Sequence, residues 1–205
     1  MNMSSYLYFN KNKEADMNFG YKKQGDHVYS WRKQWTLDNP VRGMMHPPKK
    51  LFGHMVEPGM TVVDTGCGTG FFTMALARMV GNTGTVVGVD IQAGALNRLN
   101  EKAAMAGLSG IIKTMESRAD DMGELPIADF ALAAYMVHEV PDIDTYFLQM
   151  SRCVRPGGRL LLLEPKFHVS PAHFDTEMSA SVSAGFVRES SPNIFLSHAA
   201  VLKKS

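Results

Sequence analysis

From about residue 56 onward, short apolar runs alternate with stretches in which apolar residues recur every three or four positions. Thr61-Val62-Val63 follows the turn signal Glu57-Pro58-Gly59 and predicts a buried β-strand. A glycine cluster comes next, then helical spacing from Phe71 to Val80, ended by Gly81-Asn82. Thr85–Val89 predicts a second strand. Leu96, Leu99, Ala103 and Ala106 place a helix over 92–106, stopped by Gly107. Ile111 to Glu116 is a weaker third strand, and Ala128 to Tyr135 a fourth that is apolar almost throughout. Pro141 reads as the first-turn proline of a helix whose buried face is Ile143, Tyr146, Phe147, Met150 and Cys153. Pro156-Gly157-Gly158 reads as its stop. Arg159 to Leu163 is a fifth strand, Pro171 to Ala184 a helix, and Phe186–Ser190 with Ile194–Leu202 a closing strand pair around Ser191-Pro192-Asn193.

Strands separated by helices of this length imply right-handed crossovers and a mainly parallel sheet in an α/β fold. Continuous apolar strands agree, because such strands are covered on both faces. The last two are joined too tightly for a crossover, so the sheet should end antiparallel. Open sheets of this type hold ligands beyond the carboxyl ends of their strands. The places to look are therefore 64–71, 90–92, 117–122, 135–140 and 164–168.

The strongest chemical signal stands at the first of these. Asp64-Thr65-Gly66-Cys67-Gly68-Thr69-Gly70 joins the first strand to the first helix. Alternate glycines let the backbone turn sharply and let a ligand approach where a Cβ would clash. The helix N-terminus beyond offers free N–H groups. The spacing is G-x-G-x-G, whereas a dinucleotide fingerprint requires G-x-G-x-x-G. Asp64 at the strand end suits an amine-bearing ligand better than a pyrophosphate. Asp90 closes the second strand, 24 residues after Gly66, where a carboxylate can accept both hydrogen bonds of a ribose diol. The competing reading of Asp90 is a carboxylate at a helix N-terminus beside Gln92.

These residues carry a resemblance. Val62-Val63-Asp64-Thr65-Gly66-Cys67-Gly68-Thr69-Gly70 followed by Val87-Gly88-Val89-Asp90 resembles the class I S-adenosylmethionine-dependent methyltransferases, over roughly residues 46–205. Met136-Val137-His138-Glu139-Val140, with Arg155-Pro156-Gly157-Gly158 further on, is similar to the small-molecule branch that includes quinone-biosynthesis methyltransferases. The resemblance implies a Rossmann-like, doubly wound, mainly parallel seven-stranded sheet with an antiparallel last strand and helices on both faces. It implies S-adenosyl-L-methionine as cofactor and a small molecule as methyl acceptor. Its methionine moiety would lie against Asp64 and the backbone of Gly66, Cys67, Gly68 and Gly70, with the Cys67 side chain a small apolar filler. Asp90 would hold the ribose, Ile91 would pack on the adenine, and the carbonyl of Tyr135 would face the cofactor amine. Asp120 matches the acid near the adenine amino group, with neighbouring Asp121 an alternative and a solvated loop pair the plainer reading. His138 is the candidate catalytic base, its neutral imidazole suited to taking a proton from a hydroxyl or acidic carbon; it also reads as a loop-orienting histidine. Glu164 reads as a partner for a neighbouring backbone amide, or as a substrate contact. His168 is placed to line the cleft, and His46 and His54 read as surface residues.

Composition narrows the classes. The chain has 205 residues, enough for one compact domain with a short extension. Lys and Arg number 21 against 20 Asp and Glu. That balance argues against nucleic acid or an acidic membrane surface as the main partner. Two cysteines, Cys67 and Cys153, exclude a disulfide framework and a cysteine-rich zinc site, and they fit a cytoplasmic protein. No His, Asp and Glu spacing such as H-E-x-x-H supports a metal. No apolar run approaches the roughly 18 residues of a membrane span, and no secretory signal is visible. The chain divides near His46-Pro47-Pro48: residues 1–45 are polar and aromatic, an extension that reads as a lid, a structural helix or a disordered arm, and 46–205 form the catalytic domain. A methyltransferase for RNA or protein, a non-catalytic cofactor-binding module and a nucleotide-dependent reductase remain as alternatives.

Overall fold

The computed structural model describes residues 47–205; the 1–45 extension and His46 lie outside them. The elements are α1 (Pro48–Phe52), β1 (Thr61–Thr65), α2 (Phe71–Val80), β2 (Thr85–Asp90), α3 (Ala93–Met105), β3 (Ile112–Glu116), β4 (Ala128–Ala134), α4 (Ile143–Cys153), β5 (Val154–Pro165), α5 (Pro171–Ser183), β6 (Phe186–Ser190) and β7 (Ser197–Lys204). Single 3₁₀ turns stand at Gly81–Thr83 and Val137–Glu139.

The seven strands form one sheet in the order β3-β2-β1-β4-β5-β7-β6. β1 pairs parallel with β2 and β4, and β5 lies parallel to β4. β7 runs antiparallel to β5 and to β6. The order reverses between β1 and β4, so the loops leaving these two strands diverge and open the crevice where such sheets bind ligands.

Alternation along the strands divides the core between two faces. Phe130, Leu132, Leu161 and Leu163 pack with α1, α2 and α3. Ala131, Ala133, Leu160 and Leu162 pack with α4 and α5. The four leucines of β5 are thus buried on both sides, as a sandwiched parallel strand requires. Phe52 of α1 is fully buried, edge-on to Phe72 at 5.4 Å and near Phe130 at 6.2 Å.

Three local expectations are corrected. Pro141 is not the first helical residue: α4 starts at Ile143, because Asp142 accepts a hydrogen bond from the Thr145 amide and caps the helix. Pro156-Gly157-Gly158 does not end that helix but lies inside β5, which begins at Val154. The strand is irregular there, and a Cβ on Gly158 would come within 2.9 Å of the Arg155 carbonyl oxygen and 3.0 Å of that of Asp129. Glycine permits this close approach of two chains. The last strand begins at Ser197, not Ile194; Ile194–Leu196 form the turn before it.

Because Phe52 fills the interior between α2 and β4, Phe52→Ala should cost about 3–5 kcal/mol in urea unfolding. A cost below about 1 kcal/mol, the range of peripheral positions, would detach α1 from the core.

Candidate active site

The glycine loop sits at the carboxyl end of β1. Gly66 and Gly70 adopt φ of 63° and 87°. A Cβ on Gly66 would meet Met136 Cβ and Cγ at 2.7 Å, and one on Gly70 would overlap Leu99 of α3. Glycine is required here by protein packing as well as by any ligand. Between Asp64 and Gly70, Gly66 alone is exposed, so the open ground of the loop lies over Gly66.

Two buried acids hold this loop. Asp64 accepts a 2.6 Å hydrogen bond from the Thr73 hydroxyl of α2. Asp90 accepts from the Gly68 amide at 2.8 Å through Oδ2, and from the Gln92 amide at 2.9 Å through Oδ1. Burial pushes the Asp90 carboxyl above its ordinary range, and the N–H groups of Gln92, Gly68 and Ile91 oppose that shift. The helix-terminal contact with Gln92 is therefore real, and a carboxylate's roughly four acceptor positions exceed what these amides fill. The Cys67 thiol is pushed well up by burial and by the charges of Asp64 and Asp90, which keeps it a neutral filler.

Across the crevice, β4 is followed by Tyr135, a non-glycine residue at φ 63°. Such a conformation costs on the order of 1–3 kcal/mol and persists only where its surroundings enforce it. Here the Tyr135 amide donates to the Leu163 carbonyl at 2.8 Å, and its hydroxyl shares a 2.9 Å hydrogen bond with Ser197 Oγ. The chain then makes the Val137–Glu139 turn, and Glu164 at the end of β5 organises that turn. Glu164 is fully buried. Its Oε1 accepts from the Val137 amide at 2.8 Å and the His138 amide at 3.3 Å, while its Oε2 lies 2.5 Å from His138 Nδ1. A carboxylate acceptor at Nδ1 assigns the neutral ring's proton to that nitrogen and leaves the lone pair on Nε2. Burial pulls the His138 pKa down, but the hydrogen bond and charge of Glu164, with Glu139 behind them, win and raise it. His168 stacks on His138 at 6.3 Å with 5° between the ring planes.

Asp120 is placed differently from the other expected residues. It is exposed and forms a forked pair with Arg118, both contacts at 3.1 Å, which lowers its pKa. Asp121 accepts from the Gly123 amide. Ile91 is half-buried beside Asp90, and His54 is on the surface.

Sequence reasoning missed Thr73 and Glu177, and it placed Tyr146 on a buried face without its polar contact. Tyr146 of α4 is buried with its hydroxyl 2.8 Å from Thr65 Oγ1, which donates to the Leu132 carbonyl, so a polar chain ties α4 to β1 and β4 under the crevice. Glu177 of α5 is fully buried and neither carboxylate oxygen makes a hydrogen bond, although His173 Nε2 lies 3.3 Å from Oε1. Burial, reinforced by the charge of Glu164, pushes its pKa up to about 9. A glutamate among apolar positions of a helix carries no motif, so only packing shows that it faces inward. Among the described residues, no group of three or more His, Cys, Asp or Glu is arranged to hold a metal ion.

Glu177 ionises at 4.5 in the unfolded chain and at about 9 in the fold. Its contribution is complete below the lower value and is lost steadily as pH rises toward the upper one. Glu177→Gln, which cannot ionise, should therefore gain on the wild type by up to about 1.4 kcal/mol per pH unit. Urea unfolding at about pH 6 and about pH 8 checks this: an equal difference at both would contradict a neutral Glu177.

A family model described as a methyltransferase domain matches residues 56–191. Over 112 residues the chain is 34% identical to a demethylmenaquinone methyltransferase of Desulfitobacterium hafniense strain Y51, covering 53% of this chain and 43% of that protein. It is 35% identical over 112 residues to the ubiquinone/menaquinone biosynthesis C-methyltransferase UbiE of Vibrio vulnificus strain YJ016, covering 53% and 42%. The matches thus span less than half the length of these relatives. A crystal structure of a SAM-dependent methyltransferase from Aquifex aeolicus superposes with a TM-score of 0.77 at 23% identity, over 87% of this chain and all of that one. That last likeness shows the shared fold. The match over most of the described chain, joined to the crevice between β1 and β4, establishes that this protein belongs to the methyltransferase domain family.

Proposed function

We propose that the protein transfers a methyl group from S-adenosylmethionine to a small-molecule acceptor. What carries this reading is the arrangement of two buried carboxylates on either side of the β1/β4 crevice: Asp90 fastened to the glycine loop, and Glu164 fastened to His138. The first makes a nucleoside site and the second a base.

The residues present fit the cofactor. Asp90 keeps acceptor capacity for a ribose diol, and exposed Gly66 leaves room for the methionine portion, with Asp64 and the backbone of Cys67, Gly68 and Gly70 around it. Ile91 supplies an apolar surface for the adenine. In this reading the Tyr135 carbonyl, turned by its left-handed backbone, meets the cofactor amine. Asp120 reaches the adenine amino group only by leaving Arg118, so Asp121 remains its equal as a candidate.

When bound, the cofactor supplies an activated methyl group on a sulfonium, which needs an aligned nucleophile more than further activation. The protein's contribution is chiefly positioning, which supplies on the order of 7–11 kcal/mol in well-oriented systems. Where the nucleophile carries a proton, His138 Nε2 would accept it, freeing the electron pair that would displace the neutral thioether from the methyl carbon. Glu164 holds the ring in the required tautomer and stabilises the imidazolium.

An aromatic, quinol-like acceptor suits the surroundings. Phe167 is 73% exposed beside His168, and Phe195 and Leu196 are exposed where the Lys166 amide meets the Leu196 carbonyl. The relatives named above are quinone methyltransferases. No described helix is long and apolar enough to cross a membrane, and the two buried, unpaired thiols suit a reducing cytoplasm. Transfer of a labelled methyl group to a panel of quinols and phenols tests the reading. Incorporation supports it, and binding of the cofactor without incorporation into any acceptor would favour a non-catalytic module.

Two variants sharpen the test. Asp90→Ala should weaken S-adenosylhomocysteine binding by about 1.5–3 kcal/mol in calorimetry; unchanged affinity would remove Asp90 from the site. The acid limb of kcat/KM should lie above the ordinary histidine value, because His138 acts only when neutral and Glu164 favours its charged form. Glu164→Gln should move that limb to lower pH as it lowers the rate. A limb that stays in place would exclude His138 as the base.

A further inference from the structure

Beyond the Asp90 contact at the end of β2, helix α3 touches the glycine loop at two points. Leu99 occupies the space that side chains at Gly70 and Gly88 would need. One turn on, the Lys102 ammonium donates to the Thr69 carbonyl at 2.9 Å and approaches the Thr69 hydroxyl at 3.4 Å. Thr69 is buried and Lys102 half-buried. A lysine that gives up part of its hydration to meet a main-chain carbonyl forms a charge-assisted bond, roughly twice as strong as a neutral one. Lysine elsewhere on a helix flank would extend into water.

The consequence follows from which peptide is held. Fixing the Thr69 carbonyl fixes the plane of the Thr69–Gly70 peptide, in a loop whose glycines give it wide conformational freedom. The Gly68 end of the same stretch is already held by Asp90 Oδ2. The loop is therefore held at two consecutive residues by one strand–helix unit, β2–α3: a carboxylate takes the N–H of Gly68 and an ammonium takes the C=O of Thr69. We propose that Lys102 is a positioning residue that holds the Thr69–Gly70 peptide of the glycine loop in the shape needed by the amino-acid portion of the cofactor.

This rests on the cofactor placement proposed above, and the experiment separates the two. Lys102→Met keeps the apolar stem and removes the ammonium. Calorimetry on the full chain would compare S-adenosylhomocysteine with 5′-methylthioadenosine, which has the same nucleoside but lacks the amino-acid portion. Lys102→Met should weaken S-adenosylhomocysteine binding about tenfold, the size expected for one charge-assisted hydrogen bond, and change 5′-methylthioadenosine binding less than about twofold. Lys102→Arg, which retains a donor, should recover part of the loss. Equal loss for both ligands would mean general destabilisation of the site, and no loss for either would mean an idle surface contact; each overturns the proposal. Failure of the wild-type protein to bind either nucleoside would instead overturn the cofactor placement itself.

Discussion

The Asp90 carboxylate, shared between the amides of Gly68 and Gln92, is the contact on which the site depends. Burying a carboxylate carries a large desolvation cost, offset only by donors that meet its charge. Here the donors come from two segments that the sheet brings side by side: the loop leaving β1 and the start of α3. Parallel pairing of β1 with β2 places Thr65 opposite Val89, so the glycine loop necessarily emerges next to Asp90. Leu99 and Lys102 extend the same attachment along α3. The loop's shape is thus a property of strand register as much as of its own glycines.

The other wall of the crevice repeats the device. Glu164 is as buried as Asp90 and likewise grips amides of the loop one strand away, those of Val137 and His138. It differs in adding a ring nitrogen, so that the same carboxylate also fixes the orientation of the His138 imidazole. Glu177 is the counterexample inside the same fold. It is buried without donors and faces the charge of Glu164, so its proton stays on. The four buried acids therefore divide by the groups around them: Asp90 and Glu164 are met by N–H donors, Asp64 by the Thr73 hydroxyl, and Glu177 is neutral.

The sheet and the glycine loop at its carboxyl edge were legible in the sequence because the strands are continuous apolar runs and the loop carries its own signature. The last two strands could be read as antiparallel from the shortness of their connection. What failed did so at boundaries where tertiary contacts overrule local preference. Pro141 looks like a first-turn residue until Asp142 is seen capping Thr145. Pro156-Gly157-Gly158 looks like a stop until Asp129 is seen packed against Gly158. Within the site, His138 and the amide-binding role of Glu164 could be inferred from their places at strand ends. The strained backbone of Tyr135, the Tyr146–Thr65 hydrogen bond and the inward face of Glu177 depend on contacts 62 to 81 residues apart or on helix packing, and no local pattern encodes them.

The most direct test is a crystal structure with S-adenosylhomocysteine bound. The account predicts the ribose diol on the Asp90 carboxylate, the amino-acid portion over Gly66, and the thioether sulfur on the side of the crevice that carries His138. A nucleoside lodged away from the β1 loop, or an Asp90 carboxylate that keeps only its amide partners while the ligand is present, would contradict it.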